Sequence, residues 1–176
     1  SNDSEKNGRA LCCGKQWHTK CHINVQNSKM PDHLKVRCHH CRTSLPTTDA
    51  EHIEQLREWL GNGEAWAQHI MGVWYRDGKF GLKQSYVMAA MLFEKAVAQG
   101  DPVAMYGLAL LYHHGQGVVQ SLQKASELYT MAAEQGNVSA MSNLACMHRD
   151  GEGVAQSFQK AAELYTMAAE QGNVEA

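Results

Sequence analysis

The segment Gln123 to Asn137, QKASELYTMAAEQGN, returns 36 residues later as Gln159 to Asn173, QKAAELYTMAAEQGN, altered only at Ser126 versus Ala162. A fixed period of this size restricts the fold more than any other feature of the chain. It marks a stack of helix pairs, because one such unit cannot bury its apolar face alone and needs its neighbours to complete a core. The period extends beyond the match: Gly100, Gly136 and Gly172 share a phase, as do Gly115 with Gly151, Gly117 with Gly153, and Ala104, Ala140 and Ala176. An earlier and more divergent unit runs from about Ala67 to Gly100. It has Gly72, Tyr75, Gly78 and Gly81 in matching roles and one extra residue in its turn, GKFG in place of GQG. Three copies are about the minimum for a stable stack. Such arrays build extended surfaces that hold other proteins and seldom carry chemistry, so a binding role is the first expectation.

Within each unit the apolar spacing is helical. Ala125, Leu128, Tyr129 and Ala132 fall at i, i+3, i+4 and i+7, and the same face recurs as Ala89, Leu92, Phe93, Ala96 and as Ala161, Leu164, Tyr165, Ala168. The first helix of the middle unit carries Ala104, Leu108, Leu111 and Tyr112 on one face. Gly115-Gln116-Gly117 breaks the chain between the two helices of a pair, and Gly100, Gly136 and Gly172 are expected to end the second helices. Strand patterns are absent, and the expected class is all-α with short loops.

These residues resemble a known family. The order Ala104, Ala109, Tyr112, Gly115, Gly117, Val118, Gln120, followed by Lys-Ala-x-Glu-Leu-Tyr-x2-Ala-Ala-x-Gln-Gly-Asn, looks like a Sel1-like repeat, a relative of the tetratricopeptide helix pair. The resemblance covers roughly residues 64–176, as units 64–100, 101–136 and 137–172 with another starting at 173. It departs at Ala109 and Ala145, where glycine is usual, and at His148, where tyrosine is usual. It implies a right-handed α-solenoid used as an adaptor or scaffold. In this class the first helices line the concave side, which makes Met105, Tyr106, Met141 and Ser142 candidate contacts for a protein or peptide ligand. Ordinary packing between repeats is the other reading of these four.

The front of the chain has a different character. Five of the six cysteines precede Arg42, in the run Cys12-Cys13-Gly-Lys-Gln-Trp-His18-Thr-Lys-Cys21-His22 and the knuckle Cys38-His39-His40-Cys41. Thiolate and imidazole at this spacing suit Zn²⁺, and a two-residue gap lets both sulfurs of a knuckle face one metal. The segment 1–46 has few large apolar residues, too few to hold itself together by burial alone. Disulfides and free thiols are the alternatives. The lone Cys146 in a repeat helix and the lack of an evenly spaced framework weigh against disulfides and favour an intracellular setting, cytoplasmic or nuclear. Cys146 itself reads as a small buried hydrophobe.

The same segment resembles the second half of a RING-type zinc finger, through Cys12-Cys13-Gly14-Lys15, His18, Cys21 and Cys38-x2-Cys41-Arg42, ending in Leu45-Pro46. The resemblance implies that Cys13 or Cys12 is the third ligand of a two-zinc cross-brace, His18 and Cys21 the fifth and sixth, and Cys38 and Cys41 the last pair. The fourth is open, since Lys15 stands where a histidine is usual. The first C-x2-C pair does not occur. The chain begins at Ser1 without a methionine, and that pair is expected upstream. A finger of this type implies a ubiquitin-conjugating enzyme as partner and a ubiquitin-protein ligase as the alternative function. Arg42 would then contact both the enzyme and its ubiquitin, whereas the plainer reading makes it a solvated loop residue. His39-His40 replaces the usual proline of the knuckle.

Residues 47–63 join the two parts. Thr48 or Asp49 is a plausible N-cap, and Ile53, Leu56 and Leu60 mark one face of a short helix ending near Gly61-Asn62-Gly63, expected to cap the solenoid. A net charge of −2 gives no case for bulk nucleic-acid binding, although Lys15, Lys20, Lys29, Lys35, Arg37 and Arg42 make the front basic. No apolar run approaches the roughly 18 residues of a membrane span. No phosphate loop, HExxH or nucleophile elbow occurs. His113-His114 reads as a solvated helix end, and His69 and His148 have no cysteine or carboxylate at ligand spacing.

Overall fold

The structure is a computed structural model and describes residues 48–174; the cysteine-rich segment lies outside them. The described residues fall into two units that part between Asn62 and Gly63. In the first, the described helix is α1 (Asp49–Gly61). Thr48 caps it: its hydroxyl accepts from the Glu51 amide, and the Glu51 carboxylate accepts from the Thr48 amide, each at 3.3 Å. This reciprocal box satisfies two of the amides that a helix start leaves without partners. Leu56 is fully buried.

The second unit is an all-α array of three antiparallel pairs: α2 (Ala65–Asp77) with α3 (Tyr86–Val97), α4 (Pro102–His114) with α5 (Leu122–Glu134), and α6 (Val138–Asp150) with α7 (Phe158–Val174). Each helix packs on the next in sequence, as the helical period requires, and no strand occurs among the described residues.

The turn inside each pair is built three times from the same chemistry. The first helix stops at a left-handed glycine, Gly78, Gly115 or Gly151, whose amide donates back to the carbonyl four residues earlier. Gln84, Gln120 and Gln156 then turn their side-chain amides onto the last carbonyls of that helix, Arg76, His113 and Arg149, each at 2.8 Å. Next come Ser85, Ser121 and Ser157. Ser85 and Ser121 cap the second helix with their hydroxyls, and Ser157 accepts from the Lys160 amide in the same way, at 3.3 Å. Their own amides donate to Tyr75, Tyr112 and His148 carbonyls at 2.8, 3.0 and 2.7 Å. The glutamine of the repeat signature is therefore a helix-end clamp. In the first pair the extra turn residue is absorbed by Phe80, whose φ is +55° and whose ring lies 4.2 Å from that of Trp74.

Successive pairs interlock through backbone. A Cβ on Gly117 would fall 2.4 Å from the Tyr86 carbonyl carbon and 2.6 Å from the Val87 nitrogen; one on Gly153 would fall 2.5 Å from the Leu122 carbonyl. The second glycine of the second and third turns thus seats on the first residues of the preceding pair's second helix, and a side chain there would meet main chain.

Two core clusters lie at the two joints. Phe93, fully buried, holds the first: Gly72 and Gly107 face its ring so closely that a Cβ on either would come within 2.7 and 2.9 Å of it. Tyr129, equally buried, holds the second with Met105, Met141, Leu144 and Met147. The expected faces of α3 and α5 are the ones buried, with Leu128 packed at the edge. Gly100 and Gly136 turn the chain with φ of +81° and +84°. Gly172 does not: it continues α7, with no following helix packed on it among the described residues.

Candidate functional site

The side of the array formed by the first helices is where the resemblance puts ligand contacts. Met105 and Met141 are not offered to a ligand here. They are 2% and 1% exposed and fill the joint between the second and third pairs, because their positions on α4 and α6 point at the neighbouring repeat. Tyr106 and Ser142, one position on, are half-buried and reach the surface. The Tyr106 ring lies 5.9 Å from that of Tyr129, and the Ser142 hydroxyl donates to the Val138 carbonyl at 3.2 Å. One turn later, Leu110 and Cys146 occupy equivalent half-buried positions. The four side chains thus occupy the same two half-buried positions on α4 and on α6.

In the first pair the position of Tyr106 and Ser142 belongs to His69. Its Nδ1 lies 2.8 Å from Asp101 Oδ2, and both side chains are nearly buried. Asp101 is also the N-cap of α4, its Oδ1 accepting from the Val103 and Ala104 amides at 2.9 Å. Burial pushes its carboxyl up, but the His69 hydrogen bond and charge and the two amides outweigh this and hold it below the ordinary carboxylate range. The two residues lie 32 apart in sequence, the carboxylate coming from the next repeat, so no local spacing signals the pair.

Two other polar contacts and one unpaired histidine nitrogen belong to this region. The Asn143 side-chain amide donates to Tyr129 Oη at 3.3 Å, yet burial pushes the Tyr129 phenol up to about 12. Cys146 is half-buried with its Sγ 3.0 Å from Tyr165 Oη, so it makes a polar contact where a plain buried hydrophobe was expected. That contact raises the Tyr165 phenol, with burial adding to it. His114 is exposed as expected, but His113 is half-buried. Its Nδ1 has no hydrogen-bond partner, and its ring lies 6.3 Å from that of Tyr129.

Among the described residues no three His, Cys, Asp or Glu side chains come together as a metal site, and no helix is long and apolar enough to cross a membrane. Cys12, Cys13, His18, Cys21, Cys38, Cys41 and Arg42 lie outside the described residues.

Interlocked helix pairs with glycine-locked turns define an α-solenoid of short repeats. The chain belongs to the Sel1 repeat family, whose profile matches residues 67–101, 102–137 and 138–173. A protective antigen of uropathogenic Escherichia coli with an SLR fold is 30% identical, with a TM-score of 0.70 over 75% of this chain and 28% of that one. A Sel1 repeat protein from Oxalobacter formigenes is 27% identical, with a TM-score of 0.65 over 70% of this chain and 50% of that one. The chain thus spans no more than half the length of either. Cysteine rich protein B of Helicobacter pylori, 18% identical with a TM-score of 0.54, shares the fold. No curated protein matches the chain.

Proposed function

We propose that this chain is a non-catalytic interaction protein that binds a protein or peptide along the side formed by its first helices. The Sel1-repeat solenoid is a typical scaffold for protein–protein interaction, which supports the reading at the level of the fold. The observation that carries it further is the strip of Tyr106, Leu110, Ser142 and Cys146, half-buried side chains at equivalent positions of successive repeats. Repetition at the pitch of the array suits an extended ligand, and rigid aromatic and hydroxyl groups supply contact area and hydrogen bonds at low entropic cost. Affinity capture with the intact chain and with a Tyr106→Ser/Ser142→Lys variant tests this. Partners held by the wild type should be lost from the variant. A chain that holds no partner and turns over a small substrate would overturn the reading.

The cysteine-rich run favours a second reading, a zinc-binding RING-like finger that makes the protein a ubiquitin-protein ligase with the solenoid selecting its substrate. Cys12, Cys13, His18, Cys21, Cys38 and Cys41 are the donors, their thiolates and imidazole being of the type that selects zinc. In this reading Arg42 contacts the ubiquitin-conjugating enzyme. Zinc per chain decides the first step: two ions support the cross-brace and lead to a ubiquitin-transfer assay, one supports a structural knuckle, and none rejects the metal.

A further inference from the structure

We propose that a second surface, at the head of α3, docks a short amphipathic helix whose aliphatic stripe is flanked by acidic residues. The starting point is a comparison of the chain with itself. Val87, Met88 and Met91 of α3 stand where α5 has Gln123, Lys124 and Glu127 and where α7 has Gln159, Lys160 and Glu163. In α5 and α7 these positions behave as a solvated helix face, with Gln123 donating to Glu127 at 3.0 Å and Gln159 to Glu163 at 3.1 Å. In α3 the three side chains are apolar and 56%, 39% and 49% exposed. The fold does not require them, because the same backbone is held elsewhere by glutamine, lysine and glutamate.

A fourth residue joins them. Gly117 sits against the Tyr86–Val87 peptide, which brings its turn to the head of α3, and Val119 in that turn is 88% exposed. The equivalent residues in the other turns are Lys83 and Ala155. Two valines and two methionines are therefore exposed at one joint, whereas the matching joint between the second and third pairs carries Gln123, Lys124, Glu127 and Ala155.

The chemistry of the patch narrows its occupant. Unbranched methionines adapt to varied aliphatic side chains, which suits a helix laid across them at i, i+3, i+4 and i+7. Lys83 lies at the N-terminal end of the patch and Lys95, beside Glu94, at the other, all three exposed, so acidic flanks on the ligand find a lysine at each end. Four side chains fall well short of the roughly 800 Å² per partner of a stable dimer, which favours a short segment over a second copy. This surface is separate from the strip on the first helices, and either can fail without the other.

A displayed library of short helices panned on the intact chain tests the proposal. Selected peptides are titrated by fluorescence anisotropy against the wild type and the V87Q/M88K/M91E variant, whose residues the second pair already carries at these positions. Selected sequences should share an aliphatic stripe with Asp or Glu flanks, and Kd should rise about tenfold or more in the variant at an unchanged melting temperature. The reverse transplant, Q123V/K124M/E127M, should create a second site and bring the stoichiometry toward two. Peptides that bind wild type and variant equally, or a library that yields no binder, would overturn the proposal. So would sedimentation showing that the wild type self-associates and the variant does not, since a second copy would then cover the patch.

Discussion

Glycines with positive φ are not equivalent in this chain, and two of them separate conformational strain from steric contact. Gly117 has φ of +70° and no room for a Cβ; Gly81 has φ of +73° and open space around it. Gly81→Ala should lose only the conformational term, about 1 kcal/mol. Gly117→Ala must also push apart two backbones, and about 2–4 kcal/mol is expected from the combined strain and overpacking. Urea unfolding of both variants measures the difference, and equal losses would mean that the seat on Tyr86 and Val87 is soft. Tyr129 gives a residue-scale prediction with a pH signature. Its phenol titrates near 12 when folded and near 10 when unfolded. The neutral form is therefore favoured by the fold, its contribution is full below pH 10, and it is lost as pH rises toward 12. Tyr129→Phe should remove that alkaline slope and cost about 1 kcal/mol at neutral pH from the Asn143 hydrogen bond. Phe93, which fills the corresponding place without a hydroxyl, shows that the ring alone packs.

At the scale of the element, the joint between the first and second pairs depends on Asp101, which caps α4 and partners His69 at once. Asp101→Ala should destabilise by about 2–3 kcal/mol, from a lost cap plus a histidine left buried without its partner. Because the folded carboxyl titrates below its unfolded value, its contribution is complete above the ordinary carboxylate pKa and disappears as pH falls through the depressed one. Thermal melts from pH 5 down to pH 2 should therefore be steeper for the wild type than for Asp101→Asn. This contact also shows where the sequence stops being readable. Helix positions, the turn glycines and the buried faces follow from a period of 3.6 and a repeat, both visible in one dimension. The His69–Asp101 pair and the Cys146–Tyr165 contact join different helices, and no spacing rule reaches across a turn to find them. The period likewise placed Met105, Tyr106, Met141 and Ser142 on the first helices. Which of them face outward depends on helix rotation against the neighbouring repeat, and only the packing reveals that Met105 and Met141 point in.

For the whole molecule, stability should be distributed along the array. Each pair touches mainly its neighbours, so the energy is close to a sum of pair terms and joint terms. Phe93→Ala should cost about 3–5 kcal/mol at the first joint. Hydrogen exchange should then show α2 and α3 losing protection while α6 and α7 keep theirs. Uniform loss across all three pairs would instead mean that the array unfolds as one unit.

The seat of Gly117 on Tyr86 and Val87, and of Gly153 on Leu122, means that the pitch of the stack is set main chain against main chain. The exposed side chains at the heads of the second helices are then spectators of the architecture. They can be exchanged, as valine and methionine for glutamine, lysine and glutamate, without altering how one pair is mounted on the next. An array mounted in this way can acquire a new binding surface in one repeat while its neighbours keep their own, which lets a single chain collect unrelated partners one unit at a time.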